Sequence, residues 1–208
     1  MFRRSARTLR FVSGFVANPA ETGSLVPSSR FLAQRMLRTI DWRRARVVVE
    51  LGPGVGDLTR QILSRMHSQA TLLAIEVNPA FAAVLARSIR DPRMQIVLGS
   101  ALTVDKQIAA MGMKEADCIV CSLPFANMRP EMRFAILQKS RDSLAQQGSL
   151  VLFQYRKLLL PMLRDLFPNV RTEYEWRNLP PARVFSCTTG PAHDYRPGYK
   201  REYQFTGD

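Results

Sequence analysis

The sequence predicts a doubly wound α/β fold with a seven-stranded, mostly parallel sheet. Three observations carry that expectation. Short continuous apolar runs such as "RVVVEL", "TLLAIEV", "ADCIVCS" and "SLVLFQY" recur along the chain, and strands buried on both faces read this way. Helical patterns separate most of them, and alternating strand and helix imply a parallel sheet. The first run also ends in "GPGVGD", a turn rich enough in glycine to bring backbone close to a ligand.

The elements follow in order. Ser28 or Ser29 caps a helix running to Leu37, with Phe31, Leu32 and Met36 at helical spacing. The strand over 46–51 leads through the glycine turn into a helix over 57–66. A strand over 71–77 precedes a helix that starts at Pro79, a favoured first helical position. "MQIVLG" and "ADCIVCS" are strands. "PEMRFAILQKSRDSLAQQ" is expected to be one helix ended by Gly148, and "KLLLPMLRDLF" a helix interrupted by Pro161. "VRTEYEWRN" and "ARVFSCT" form a closing antiparallel pair. The expected organisation is an amphipathic segment over 1–17, a covering helical segment over 18–44, a main domain over 45–188 and a loose tail over 189–208.

Composition narrows the partners. The chain has 208 residues and 46% hydrophobic content, enough for one domain with an ordinary core. No stretch reaches the roughly 18 apolar residues of a membrane span. Thirty Lys and Arg against 17 Asp and Glu give a net charge of +13, which suits an anionic surface: lipid, nucleic acid or acidic protein. Cys118, Cys121 and Cys187 fit a reducing compartment. Cys118 and Cys121 lie three apart in a strand and so face opposite sides, and no second pair follows. Core packing is expected, and no metal.

The first segment has no acidic residue up to Pro19. On a helix, Arg3, Arg7 and Arg10 share a face with Arg4 at its edge, while Phe2 and Phe15 fall mainly on the other and Phe11 is a misfit. Such a helix suits the interface of an anionic membrane. A transit peptide and a simple domain cap are the competing readings.

The glycine turn carries the chemistry. Gly52, Gly54 and Gly56 follow a strand as Gly-x-Gly-x-Gly, not the spacing of a dinucleotide site. Glu50 stands two residues before them. Its carboxylate would repel a pyrophosphate and favour a cationic ligand such as the methionine end of S-adenosylmethionine. Glu76 ends the next strand, suitably placed for ribose hydroxyls, with Val77 beside it.

This order resembles the seven-stranded S-adenosylmethionine-dependent methyltransferases over about residues 45–188. The resemblance implies that Ser100 and Ala101 lie against the adenine, with Ser100 standing where many members have Asp. It also places "SLPF", Ser122 to Phe125, beside the reactive methyl. In base methylases the first residue of such a tetrapeptide is Asn or Asp and accepts from a planar amine, while the aromatic stacks on the base. Ser122 offers a shorter acceptor, and Leu123 and Phe125 an apolar wall.

Taken in order, "GSLVPSSRFLAQRM", "SLPF" and "RNLPPARVF" are similar to bacterial phospholipid N-methyltransferases. That resemblance implies phosphatidylethanolamine methylated towards phosphatidylcholine, by an enzyme peripheral on the inner face of the bacterial cytoplasmic membrane. Close relatives methylate ornithine lipids. It departs from the family where "LFQYRKLLL" replaces a Phe-Thr-Tyr run. Ser28, Ser29, Arg30 and Arg183 are the candidate donors to the headgroup, Tyr155 a candidate for amine deprotonation, and Phe125, Tyr155 and Trp176 candidate faces for a methylated ammonium. The ribosomal RNA adenine dimethylases share the glycine turn and a Leu-Pro-Phe or Leu-Pro-Tyr sequence, and the charge suits RNA too. RNA is the less favoured partner, because Ser122 replaces Asn and few residues remain for a carboxyl-terminal RNA-binding domain. A methyltransferase fold without activity, acting as an assembly factor, is the third reading.

Overall fold

The computed structural model describes residues 29–190. The expected amphipathic helix with Phe2, Arg3, Arg4, Arg7, Arg10, Phe11 and Phe15, the residue Ser28, and all but the first two residues of the tail lie outside them.

Seven strands form one sheet in the order β3-β2-β1-β4-β5-β7-β6. They are β1 (Val47–Leu51), β2 (Thr71–Glu76), β3 (Met94–Leu98), β4 (Ala116–Cys121), β5 (Leu144–Gln154), β6 (Asn169–Glu175) and β7 (Ala182–Thr188). β1 to β5 run parallel, and β7 is antiparallel to both β5 and β6. The strand order reverses between β1 and β4, so a crevice opens beyond their carboxyl ends, the usual ligand position in such sheets. Six helices complete the described fold: α1 (Arg30–Leu37), α2 (Asp57–Leu63), α3 (Pro79–Ser88), α4 (Val104–Ala110), α5 (Pro130–Asp142) and α6 (Leu160–Leu166).

Both sheet faces are buried, which is why the central strands are apolar without alternation. On one face Val48, Leu72, Val120 and Val151 meet Leu32, Met36 and Ile62 from α1 and α2. On the other, Val49, Ile119 and Leu150 meet Ile108, Leu137 and Leu163 from α4, α5 and α6. Each fully buried Val or Leu contributes roughly 1.5–3 kcal/mol. Cys118 packs in the first cluster and Cys121 in the second, as their spacing requires.

Four helices differ from the sequence reading. α2 stops at Leu63 and passes into a turn through Met66. α4 was not expected at all. α5 ends at Asp142, and Leu144 already belongs to β5, paired with Ala116 ahead of an irregularity in the ladder. Ser140 and Ser143 donate back to the carbonyls of Ile136 and Lys139, and such back-bonding weakens a helix end. Gly148 is therefore no helix cap. A Cβ there would lie 3.0 Å from the Ala145 backbone, so a side chain at this bulge would be tightly packed. Pro161 does not interrupt a helix. It sits in the first turn of α6, after a 3-10 turn over Lys157–Leu159, where a missing N–H costs nothing.

α1 is clasped to the β6–β7 hairpin. Ser29 caps α1 by accepting from Leu32 N at 3.2 Å. Ser29 N in turn donates to Asn178 Oδ1 at 3.2 Å. Arg35 Nε donates to Glu175 Oε2 at 2.8 Å, and Arg35 and Arg38 both pair with Glu173. Hydrogen bonding from Arg177, opposed by burial and helped by Arg35, holds the Glu175 pKa down from 4.5 to about 2. A depressed carboxylate adds stability above its unfolded pKa and loses it as the proton binds. Wild-type melting temperature is expected to fall as pH drops from about 4.5 to about 2. Glu175→Gln should start lower at pH 7 and fall less steeply over that window, as thermal unfolding at stepped pH will show.

Candidate active site

The site is built at the carboxyl ends of β1, β2, β4 and β5. Gly52 N donates to Ile75 O at 3.0 Å and Ser122 N to Leu51 O at 2.9 Å, so three strand ends are tied together by backbone alone. The glycine turn is held from the side by Glu76. One carboxylate oxygen accepts from Gly54 N at 3.0 Å and the other from Asn78 N at 2.8 Å. Gly52 has φ +74°, and a Cβ there would stand 2.9 Å from Leu123 Cδ2, so the turn packs directly on the "SLPF" loop. Gly56 has φ +94°, a conformation that favours glycine, and a Cβ there would press on the side-chain ends of Leu85 and Ile89.

Glu50 is fully buried, and neither of its carboxylate oxygens has a hydrogen-bond partner within the protein. Burial pushes its pKa from 4.5 up to about 8, the Thr59 hydroxyl nearby tempers the rise, and the charge of Glu76 adds to it. Uncompensated buried carboxyls are costly, and this one sits at a strand end under an open turn. A cationic group is the partner such a carboxylate lacks. Ser122 Oγ is likewise buried without a partner.

A cavity of about 40 Å³ lies beside Ser122, lined among others by Leu123, Asn127, Phe153, Gln154 and Tyr155. That is space on the scale of a few water molecules, suited to an amine and its methyl groups. Gln154 Nε2 donates to Leu123 O at 3.3 Å and fixes one wall. Phe153 and Tyr155 meet edge to face at 5.9 Å between ring centroids.

The residues expected from the sequence divide clearly. Glu50, Gly52, Gly54, Gly56 and Glu76 gather at the ends of β1 and β2, and Ser122, Leu123 and Tyr155 line the cavity. Val77 follows β2 and is half exposed. Ser100 lies at the end of β3, where its hydroxyl caps a 3-10 turn by accepting from Leu102 N at 3.2 Å, with Ala101 buried behind it. Two expectations are corrected, for Phe125 and Trp176. Phe125 is 0% exposed inside the core cluster, and its carbonyl accepts from Arg133 Nε at 2.8 Å, so it offers no face to a ligand. Trp176 lies outside the cavity, on the hairpin beyond β6, stacked on Tyr174. Ser29 uses its hydroxyl as a helix cap, and the Arg30 guanidinium rests 4.8 Å from the Phe31 ring centroid. Arg183 sits across from Gln154 on β7, 4.3 Å from the Tyr174 ring centroid, with Nε buried and unpartnered.

Sequence reasoning passed over Phe153, Gln154 and Asn127. The signal for Phe153 was present: it stands two residues from Tyr155 in a strand, hence on the same face.

The residues fit S-adenosylmethionine. Glu50 offers the buried anion, the glycine turn an open approach, and Glu76 and Val77 the adjacent strand end. When bound, the cofactor supplies a methyl group already activated on a sulfonium.

Comparison with known proteins agrees. The family model described as ribosomal RNA adenine dimethylase matches residues 24–159. The chain is 30% identical over 179 residues to an ornithine lipid N-methyltransferase of Singulisphaera acidiphila, covering 85% of this chain and 93% of that protein. It is 32% identical over 115 residues to ribosomal RNA small subunit methyltransferase A of Geobacter metallireducens, but spans only 40% of that protein's length and 54% of its own. The structure of human methyltransferase-like protein 13 in complex with SAH superposes with a TM-score of 0.60 at 18% identity, covering 77% of this chain and 83% of that one. An orphaned buried carboxylate under a glycine turn, a matching family and a shared fold lead to one conclusion: the chain belongs to the ribosomal RNA adenine dimethylase family and is an S-adenosylmethionine-dependent N-methyltransferase.

Proposed function

We propose that this enzyme methylates the amine of a membrane-lipid headgroup, with ornithine lipid as the first candidate and phosphatidylethanolamine the second. One observation carries the reading: the similarity to an ornithine lipid N-methyltransferase extends over 93% of that protein. The sequence motifs alone put phosphatidylethanolamine first; the named relative reverses that order.

The site supports amine chemistry. Only a neutral amine attacks, so the ammonium must give up a proton on arrival. In this reading Ser122 Oγ accepts from the amine N–H, and Tyr155, which lines the same cavity, passes a proton outward. Phe153 and Tyr155, rather than Phe125, give a methylated ammonium aromatic surface, worth about 0.5–2 kcal/mol per contact. The unpaired Nε–H of Arg183, across from Gln154, is a donor for the headgroup's anionic group. Peripheral attachment to the inner membrane face belongs to the same proposal. No described helix is long and apolar enough to cross a membrane.

The test is expression in a bacterium that makes both ornithine lipid and phosphatidylethanolamine, with mass spectrometry of the lipid extract. Ornithine lipid heavier by one or more methyl groups is the expected result. Unmodified lipids beside functional enzyme would refute the proposal. RNA adenine methylation is the second reading, favoured by the family match. It predicts dimethyladenosine in ribosomal RNA of the same cells.

A further inference from the structure

The β6–β7 hairpin presents the two most exposed large apolar side chains among the described residues, Trp176 at 71% and Leu179 at 85%. A single exposed apolar residue is ordinary. This pair is unusual because the hairpin around it is pinned. Asn178, between them, is buried and bonds both Ser29 N and Pro180 O. Tyr174 backs the Trp176 ring at 5.1 Å with an 11° interplanar angle. Glu175 beneath is paired with Arg35 and Arg177. The chain holds this tip firmly while leaving its apolar side chains in water.

The position is as informative as the exposure. β7 runs antiparallel to β5, and Arg183 pairs with Gln154. The hairpin tip therefore stands at the carboxyl edge of the sheet, on the same side as the cavity mouth. Leu158, in the 3-10 turn that follows β5, is also exposed. Cations flank the patch: exposed Arg30 and Arg177 share the Phe31 ring, and Lys157 adjoins Leu158. Neither loop, 155–160 or 176–181, contains an acidic residue.

We propose that this edge, with Trp176 and Leu179 at its tip, is a docking surface for an anionic lipid bilayer. It deepens the lipid-amine reading above and rests on it. The indole and the aliphatic side chain enter the interfacial layer, and the flanking cations meet lipid phosphates. The cavity beside Ser122 then faces the headgroups, so an amine reaches it without leaving the membrane. Single-stranded RNA fits less well. One Trp176 face is already covered by Tyr174, and Leu179 offers no plane for a base to stack on.

The chain has two tryptophans, so the test can be direct. Full-length Trp42→Phe protein keeps only Trp176, and full-length Trp176→Phe keeps only Trp42, whose indole N–H donates to Leu37 O. Each is mixed with phosphatidylcholine–phosphatidylglycerol vesicles, with and without brominated acyl chains. Trp176 emission is expected to shift to shorter wavelength and to be quenched by bromine, while Trp42 changes little. Full-length Trp176→Ser/Leu179→Ser should bind these vesicles about tenfold or more weakly, yet still methylate lipid dispersed in detergent micelles. Vesicle-bound protein with unquenched Trp176, or a double variant that binds vesicles like wild type, would overturn the docking surface. Quenching of Trp176 by single-stranded RNA but not by vesicles would do so too. Wild-type protein that methylates no lipid even in micelles refutes the lipid-amine reading itself, a separate outcome.

Discussion

Glu50→Gln is expected to make the cofactor-free protein more stable and its grip on S-adenosylmethionine weaker. The two effects share a cause. Burial, against the tempering of Thr59 and with the added repulsion of Glu76, raises the Glu50 pKa from 4.5 to about 8. The folded chain therefore holds a proton that the unfolded chain has released. Stability without cofactor is full below about pH 4.5 and declines as pH rises towards about 8. At pH 7 the difference amounts to about 3 kcal/mol. Glutamine keeps the shape and removes the titration, though its amide is still buried. A net gain of about 1–3 kcal/mol, or roughly 3–10 °C in melting temperature, is expected at neutral pH.

Cofactor binding should respond in the opposite sense. A cationic ligand favours the charged carboxylate, so binding expels the proton. Wild-type affinity should climb with pH, by up to ~tenfold per unit, and level off above about 8. In Glu50→Gln that dependence disappears. The two proteins should bind nearly alike at pH 6 and differ by more than ~tenfold at pH 8.5. Calorimetry in buffers of different ionisation enthalpy counts the released proton. A wild-type affinity flat across this range would contradict the account.

Ser122→Ala should separate turnover from stability. Its hydroxyl is buried and makes no hydrogen bond in the protein, so its loss is expected to change stability by less than about 0.5 kcal/mol. If the hydroxyl receives the attacking amine, kcat falls roughly ten- to a hundredfold, about 1–3 kcal/mol of transition-state stabilisation. Cofactor affinity should stay near wild type. Equilibrium binding beside steady-state rates will show the split, and an unchanged kcat would remove Ser122 from the chemistry.

Much of the architecture was legible because a parallel sheet buried on both faces leaves few options for its strands. "VVVEL" and "DCIVC" could be little else. The cofactor side was legible for a related reason: Glu50 and the glycines are fixed by strand ends, which the apolar runs locate. Elements whose bounds depend on distant pairing were not. α4, over Val104–Ala110, is two turns long with only Val104 and Ile108 buried, too brief a pattern to stand out. The α5–β5 boundary depends on Leu144 meeting Ala116, a contact between residues 28 positions apart that no local periodicity shows. The analogy of its tetrapeptide points Phe125 at the substrate, whereas its environment is the core. The cavity's aromatic wall came instead from Phe153 and Tyr155, whose shared face the strand alternation already implied.

The most direct test of the central claim uses purified full-length protein and S-adenosylmethionine labelled in its methyl group. It is offered vesicles containing ornithine lipid and phosphatidylethanolamine in an anionic background, and in parallel ribosomal RNA. Label is expected in the lipid extract, on the amine of ornithine lipid ahead of phosphatidylethanolamine, and absent from RNA. Label confined to RNA would contradict the lipid reading and make Ser-Leu-Pro-Phe a variant base-methylation motif.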